Sequence, residues 1–149
     1  MIFISVTRLR VHSLLNLLSF FSKNEASVKA LLSTEGFLQG KELIDKRLTF
    51  WTVTLWKDIE AMKKFRNCDA HRKAMQKLPL WCDEAAYVHW CQEEPEIPDW
   101  ETVYQKLITE GKITKVKKPS PQQANLSYTP VKWKMIERNL GGNKVYPVG

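Results

Sequence analysis

The chain has 149 residues, of which 44% are hydrophobic, and this is enough for one ordinary domain with a core of its own. The composition excludes a chain that is disordered throughout. The net charge is +7, and residues 99–149 account for +5 of it, which is typical of a lysine-rich, solvated segment. Because no recognised nucleic-acid-binding motif accompanies these charges, we do not expect nucleic acid as a partner.

The three cysteines, Cys68, Cys82 and Cys91, contain no CxxC pair and are odd in number. This pattern predicts neither a disulfide framework nor a metal site. We interpret the cysteines as buried or unreactive thiols of a protein in a reducing cytoplasm.

The N-terminal segment has one feature of a signal peptide, because Arg8 and Arg10 precede an apolar run at residues 14–21. Other features oppose that interpretation. Asn16 and Ser19 interrupt the run, no small-residue cleavage site follows it, and roughly ten residues are too few to span a bilayer. We therefore expect a cytoplasmic protein without a transmembrane segment.

Hydrophobic periodicity predicts alternating strands and helices over the first two thirds of the chain. In chain order, the predicted elements are a strand at 2–7, a helix from residue 11 or 12 to 33, strands at 37–44 and 48–56 joined by a tight hairpin at Asp45-Lys46, a helix at 58–65, a short helix at 69–78 stopped near Pro79, and a strand at 85–91. The order β-α-β-β-α-β predicts an α+β, ferredoxin-like fold, with an antiparallel sheet that carries its helices on one face.

The two main helices are predicted to be amphipathic. In the first helix the expected buried stripe is Leu14, Leu17, Leu18, Phe21, Val28, Leu31 and Leu32. In the second helix, Asp58 is the expected N-cap, Ile59, Met62 and Phe65 are the expected buried residues, and Glu60, Lys63, Lys64 and Arg66 are expected to face away from the core.

Strand 48–56 carries no charge on either face. By the period of two, Leu48, Phe50, Thr52, Thr54 and Trp56 share one face, and Thr49, Trp51, Val53 and Leu55 share the other. A sheet that is apolar on both faces needs a second cover besides its own helices. A partner's sheet, the C-terminal extension and a ligand all remain open as that cover.

We divide the chain into a ferredoxin-like domain at residues 1–94 and a C-terminal extension at 95–149. Pro95 and Pro98 predict a linker, and Asp99 predicts the start of a helix at 99–110. Its apolar stripe is Trp100, Val103, Tyr104, Leu107 and Ile108. The lysine-rich and proline-rich segment 112–127 indicates a loop or disorder. Beyond it, Trp133, Met135, Ile136, Val145 and Tyr146 predict a short docked element, with a turn at Gly141-Gly142-Asn143.

The pattern T-x-T-x-W-K-D-x-E-A-M-x-x-F at residues 52–65, followed by H-R-x-A-M at 71–75, resembles the strand-to-helix signature of the dimeric α/β-barrel superfamily. That superfamily includes antibiotic-biosynthesis-type monooxygenases, haem-degrading monooxygenases, and families of unassigned role, one of which is similar to spheroidene monooxygenase. The resemblance covers roughly residues 1–92. It implies a homodimer in which two sheets lie face to face, and in each subunit an apolar pocket between sheet and helices.

Oxygenation without a cofactor needs an electron-rich substrate, such as a phenol or quinol, that loses a proton in a dry pocket. His71 is the first candidate for the catalytic base and His89 the second, because histidine titrates near neutral pH. The candidate substrate-binding residues are Thr52, Thr54, Trp56, Phe65, Met75, Tyr87 and Trp90. Each of them has an alternative interpretation as an ordinary packing residue of the core.

Haem is the cofactor that part of this superfamily uses. The resemblance places the second-helix tryptophan of the haem-degrading members at Phe65 and their axial histidine near Met75, so this chain departs from both positions. We therefore expect no cofactor, although ligation from His71, about one helical turn earlier, remains open.

The sequence thus leads to three hypotheses of function. The first is a small monooxygenase-like enzyme acting on an apolar, aromatic or isoprenoid substrate. The second is a non-catalytic ligand-binding or interaction protein with the same fold. The third is an adaptor that uses its basic tail to contact nucleic acid or a membrane surface.

Overall fold

The structure, a computed structural model, describes residues 1–45, 47–131 and 134–141. Its elements are β1 (Ile2–Val11), α1 (Leu14–Ser33), β2 (Phe37–Asp45), β3 (Thr49–Trp56), α2 (Ile59–Arg66), α3 (Asp69–Trp81), β4 (Cys82–Gln92), α4 (Trp100–Glu110), β5 (Lys112–Ile113) and β6 (Lys134–Leu140). Within the described residues, no helix is both long enough and apolar enough to cross a membrane.

The strands form one antiparallel sheet in the order β5-β4-β1-β3-β2-β6. Its four central strands, with α1, α2 and α3 on one face, are the ferredoxin-like arrangement, so the predicted fold class is confirmed. The extension adds β5 at one edge of the sheet and β6 at the other. The sequence analysis missed both strands.

Several predicted boundaries are wrong, among them the start of β4, which lies at Cys82 and not at residue 85. Strand β1 continues to Val11, so α1 begins only at Leu14, after Ser13 accepts a hydrogen bond from the Leu15 N–H. Helix α3 does not stop near Pro79 but continues to Trp81. Pro79 lies in the last turn of α3, and Trp81, with which the helix ends, is buried.

The predicted stripe of α1 is right in part, because Leu31 is buried and Leu17, Phe21 and Val28 pack against buried clusters, but the rest of it is wrong. The side chains of Leu14, Leu18 and Leu32 are 73%, 82% and 38% exposed. The buried residues of the helix are Phe20, Ser27 and Leu31. The true buried stripe contains the polar residues Asn24 and Ser27, which face a cavity instead of a dry core, and the hydrophobic pattern therefore concealed it.

The extension covers the sheet face opposite α1–α3. Val103 and Leu107 of α4 are fully buried in one cluster with Trp51, Val53 and Leu55 of β3. The sequence left three possible covers for this face: a partner's sheet, the C-terminal extension and a ligand. In the part of the chain that the structure describes, the extension covers it.

Segment 112–128 is ordered against the sheet, so its prediction as a loop or disorder is wrong in part. It passes around the β4 edge, where Val116 is buried beside Trp81 on the helical side. Gln123 is 4% exposed, and its side-chain amide accepts a hydrogen bond from the Ala85 N–H and donates one to the Ala85 carbonyl, at 3.0 and 2.9 Å. This amide replaces the backbone of a missing neighbouring strand at the β4 edge.

A buried charged cluster fastens the extension to the sheet. The guanidinium of Arg8 lies 4.1 Å from the centre of the Tyr128 ring and donates to Glu84 at 2.6 Å. Ser120, also from the extension, donates to the same carboxylate at 2.7 Å. Burial raises the pKa of Glu84, but these hydrogen bonds and the charges of Arg8 and Arg10 outweigh it, so the pKa lies below its usual value and the carboxylate stays ionised.

Part of the predicted docked element is β6, which includes Ile136 and pairs with β2. Met135 also lies in β6, but its side chain, like Trp133, Val145, Tyr146, Gly142 and Asn143, is outside the described residues. Lys46 of the predicted hairpin is outside them too. The rest of that turn is described: the Asp45 carboxylate accepts hydrogen bonds from the N–H groups of Arg47 and Thr49.

If α4 is part of the core, Leu107→Ala should lower the free energy of unfolding by about 2–5 kcal/mol, because it leaves a cavity beneath Trp51. Leu80→Ala is the matched control, since Leu80 is 46% exposed, and should change the free energy by no more than about 0.5 kcal/mol. Urea denaturation followed by circular dichroism measures both. Equal small effects would show that α4 does not belong to the core.

Candidate functional site

A cavity of about 800 Å³ lies between the sheet and helices α1, α2 and α3. Its volume falls in the range of small-molecule sites. The sheet forms the floor and the helices form the roof.

The floor of the cavity is polar. In the sheet register, Thr7 of β1 lies between Thr52 and Tyr87, and Ser5 lies between Thr54 and His89. Side chains at these alternate positions share one face of the sheet. The floor therefore presents five hydroxyl groups and one imidazole: Ser5, Thr7, Thr52, Thr54, Tyr87 and His89.

The roof of the cavity combines apolar and polar side chains. The apolar ones are Phe20, Val28 and Leu31 of α1, Met62 and Phe65 of α2, and Ala74, Met75, Leu78 and Trp81 of α3. The polar ones are Lys23, Asn24 and Ser27 of α1, Arg66 of α2, and His71, Arg72 and Gln76 of α3. The predicted pocket between sheet and helices is thus present, but its lining is mixed instead of uniformly apolar. Such a lining suits a molecule with an apolar body and a few polar groups.

Trp56 and Thr54 form a fixed wall of the cavity. The Trp56 indole N–H donates to the Thr54 hydroxyl at 2.9 Å, and that hydroxyl donates to the Ser5 carbonyl at 3.3 Å. The Trp56 ring also packs edge-on against Phe65, with ring centres 5.7 Å apart. Because the proton of the Thr54 hydroxyl is already committed, Thr54 contributes shape more than hydrogen bonding to a ligand.

His71 is held in one orientation by its own helix pair. Its Nδ1 lies 3.2 Å from the Arg66 carbonyl, and its ring packs edge-on against Phe65 at 4.8 Å between centres. A carbonyl only accepts, so Nδ1 carries the proton and Nε2 keeps its lone pair. Burial, with the charge of Arg66, lowers the pKa of His71 against the opposing hydrogen bond to the Arg66 carbonyl. At neutral pH the ring is therefore an uncharged base.

His89 lies on the floor, with its ring 5.1 Å from that of Phe3 and 5.2 Å from that of Tyr87. Burial lowers the pKa of His89, and the charges of Arg66 and Lys112 lower it further. Unlike His71, it makes no hydrogen bond to any described residue that would fix its ring. Of the two candidate bases, His71 is the better positioned.

Eight of the nine predicted site residues line this cavity, and Trp90 does not. The eight are His71, His89, Thr52, Thr54, Trp56, Phe65, Met75 and Tyr87. Trp90 lies on the opposite face, packed with the cluster beneath α4, where the Lys106 ammonium is 5.5 Å from its ring centre. Side chains alternate between the two faces of the sheet along β4, so the sequence already places Trp90 on the face opposite Tyr87 and His89. The predicted site included Trp90 in spite of this alternation.

Several lining residues were missed by the sequence analysis. Ser5 and Thr7 could have been found, because they alternate with Ile4 and Val6 along β1. Arg66 was expected to face away from the core, and it is exposed, but it also lines the cavity, which was not expected. Lys112 comes from the extension, and no local pattern indicates its approach to β4.

The lining departs from the haem-degrading members where the resemblance places their axial histidine. Met75, 39% exposed, lines the cavity at that position. His71, the alternative ligand, directs Nδ1 to a backbone carbonyl and keeps the lone pair of Nε2, so its geometry alone does not exclude a haem. Among the described residues, no three His, Cys, Asp or Glu side chains are grouped to hold a metal ion.

Solved structures share this architecture. A conserved protein from Methanosarcina mazei Go1 is 14% identical over 62% of this chain and 94% of its own, with a TM-score of 0.56. SnoaB, a cofactor-independent oxygenase from Streptomyces nogalater, is 17% identical over 64% of this chain and 98% of its own, with a TM-score of 0.53. Rv0793 from Mycobacterium tuberculosis is 8% identical over 64% of this chain and 100% of its own, with a TM-score of 0.56.

The chain shares the ferredoxin-like fold of these solved structures. The fold that the resemblance in the sequence implies is therefore confirmed. At such identities the likeness establishes the fold alone. No protein-family model matches the chain, and no curated protein matches it in sequence.

The charge of Arg66 lowers the pKa of both cavity histidines, so Arg66→Gln should raise both values. Arg72→Gln is the control, because Arg72 also lines the cavity but contributes to neither shift. Histidine ring resonances followed by NMR across pH give the pKa values, and in both variants the His71 proton should remain on Nδ1. A His71 pKa above 6.5 in the unaltered protein would contradict this account.

The same shifts have a consequence for stability. The pKa values of His71 and His89 are lower in the folded protein than in the unfolded chain, where they lie near 6.5. The stability that the two neutral rings contribute is therefore complete above pH 6.5. It is lost as the pH falls through the pKa values of the folded protein.

Proposed function

We propose that this chain is a small oxygenase that uses molecular oxygen and no cofactor to oxidise an apolar aromatic substrate held in the cavity. The observation that carries the proposal is His71, an oriented, uncharged base in the wall of the 800 Å³ cavity. The fold shared with SnoaB, a cofactor-independent oxygenase, supports the same reaction class.

The proposed reaction starts with removal of a phenolic proton by Nε2 of His71. The electron-rich anion then reduces oxygen, and one carbon–oxygen bond forms to give a hydroperoxide. Loss of water leaves a carbonyl, so one atom of oxygen enters the product and the other leaves as water. The substrate supplies all four electrons. A phenol or quinol can follow this route, whereas an isoprenoid hydrocarbon has no acidic proton for His71 to remove, and the aromatic substrate is therefore favoured.

Floor hydroxyl groups would orient the substrate. The hydroxyls of Thr7, Thr52 and Tyr87 make no hydrogen bond to any described residue, and all three line the cavity. A phenolic or quinone oxygen placed on this floor would be held beneath the apolar side chains of the roof, which exclude water from the reacting carbon.

A second subunit is not needed to build this cavity. The resemblance implies a homodimer joined sheet to sheet, but α4 and Tyr128 of the same chain lie on that face. We propose that the extension takes the place of the second sheet, and that any homodimer uses another surface.

The alternative is a ligand-binding protein without catalysis. It is favoured by one observation: no carboxylate and no second histidine hydrogen-bonds His71 among the described residues, so nothing strengthens it as a base beyond the Arg66 carbonyl. Such a protein would bind the same class of molecule and leave it unchanged.

Oxygen uptake with a panel of hydroquinones and polycyclic phenols tests the proposal. We expect His71→Ala to lower the rate by about 10²–10⁴-fold while a non-reactive aromatic ligand still binds. His12→Ala is the matched control, because His12 is exposed and lies outside the cavity. With the unaltered protein, the rate should fall on the acid side with an apparent pKa below 6.5, as His71 becomes protonated.

Two results would overturn the oxygenase proposal. If the protein binds aromatic ligands but consumes no oxygen with any of them, the binding-protein alternative holds. If uptake occurs but is the same in His71→Ala, the base is not His71.

A further inference from the structure

We infer that the natural ligand of the cavity is an organic anion, with an apolar aromatic body and a carboxylate at the rim formed by Arg66, Arg72 and Lys112. This inference rests on the proposed function of the same cavity, because it names the class of molecule that the cavity would hold. It is carried by the charges of the lining.

Three exposed basic side chains line the cavity on the side of α2, α3 and β5, and Lys23 of α1 lines it as well. Arg66 ends α2, Arg72 lies in the first turn of α3, and Lys112 of β5 pairs with Tyr87 on the floor. The charges of Arg66 and Lys112 both act on His89, so these two come from separate parts of the chain to the same end of the floor.

None of the three rim cations has an acidic partner among the described residues. Other cations of the chain do pair: Arg8 with Glu84, Lys63 with Glu60, and Lys106 with Glu110. Cations that line a cavity without carboxylates beside them leave a positive potential inside it. An anionic group is the chemistry that such a rim recognises.

The one carboxylate in the described lining does not neutralise the rim. Glu42 lies on β2 and is 3% exposed. Its oxygens accept hydrogen bonds from the Asn24 amide and from the Arg138 guanidinium, each at 3.0 Å. The charge of Glu42 is therefore paired with that of Arg138 and does not neutralise the basic side chains at the rim.

The backbone adds to the positive character of the rim. The N-cap residue of α3, Cys68, makes no side-chain hydrogen bond to the first turn, so the N–H groups that open this helix lack a side-chain cap. Asn67 and His71, on either side of that turn, both line the cavity. The partial positive charge of a helix N-terminus acts in the same direction as the three side chains, although Asp69 in the first turn offsets part of it.

The arrangement also sets the orientation of the ligand. A carboxylate at the rim leaves the apolar body under Phe65 and Met75, beside His71 and above the floor hydroxyls. Arg66 would hold the carboxylate through charge-assisted hydrogen bonds, and the part of the molecule to be oxidised would lie deeper in the cavity.

The test compares two ligands of nearly the same shape, 2-naphthoate and 2-naphthamide, by isothermal titration calorimetry at pH 7.5. We expect the unaltered protein to bind the carboxylate roughly tenfold more tightly than the neutral amide. The preference should shrink in 0.5 M salt, because the rim is exposed and its charges are screened.

The variant Arg66→Gln with Lys112→Gln, which leaves Arg72 in place, should remove most of this preference and leave the affinity for the amide unchanged. The matched control is Lys64→Gln with Lys115→Gln, which removes the same charge from the same two segments at exposed positions outside the cavity. The control should keep the full preference. Thermal unfolding of both variants, with single substitutions as a second set, separates lost binding from lost folding.

Equal affinity for the two ligands in the unaltered protein, binding of neither, or equal loss of preference in both double variants would overturn the inference. Its failure is distinguishable from failure of the oxygenase proposal. If the protein prefers the carboxylate but takes up no oxygen with any phenol, the oxygenase proposal fails and the anion site stands. If it takes up oxygen with neutral phenols but does not prefer the carboxylate, the anion site fails and the oxygenase proposal stands.

Discussion

The structure depends on one constraint, which is that its central sheet is apolar on both faces. Trp51, Val53 and Leu55 are fully buried on one face of β3, while Phe50 and Trp56 are buried on the other. Exposing either set to water would be unfavourable, because the hydrophobic term scales with the apolar area left in contact with solvent. Two covers are therefore required, and the chain supplies both.

The two covers differ in how tightly they pack. Under α4 and Tyr128 the side chains form one buried cluster, in which Arg8 pairs with Glu84 and the Gln123 amide bonds to Ala85, while Trp51 Nε1 and Arg8 Nε make no hydrogen bond to a described residue. Under α1, α2 and α3 the packing leaves the cavity, lined with hydroxyls from the sheet and apolar side chains from the helices. One face thus gives the fold its rigidity, and the other gives the site its space.

The packing on the two faces of the sheet also explains which parts of the fold could be predicted from the sequence and which could not. Strong periodicity and a capped junction at Asp58 predicted the order of the core elements, and the motif at residues 52–65 led to the correct fold. The buried stripe of α1 was predicted wrongly in part, because Asn24 and Ser27, which line the cavity, are polar and do not show in a hydrophobic pattern. Gln123 looked like part of a solvated loop, since nothing in its neighbourhood shows that its amide replaces a strand backbone at Ala85.

The residues of the candidate site that were predicted from the sequence lie in β3, α2, α3 and β4. His71 and Tyr87 were found by residue type and spacing. Arg66 and Lys112 were not, because their place at the rim depends on the angle of α2 and on the route of the extension around β4. Such long-range placement is set by tertiary packing, which a single sequence does not display.

The central claim is that the extension covers the sheet within the same chain. An isotope-filtered NMR experiment on a mixture of labelled and unlabelled protein tests it most directly, by observing contacts between the Trp51 indole and the Tyr104 ring, whose centres are 6.4 Å apart. We expect these contacts in the uniformly labelled protein and none between labelled and unlabelled chains. Contacts to Trp51 that arise only between chains would show that a second subunit covers this face, and would contradict the account.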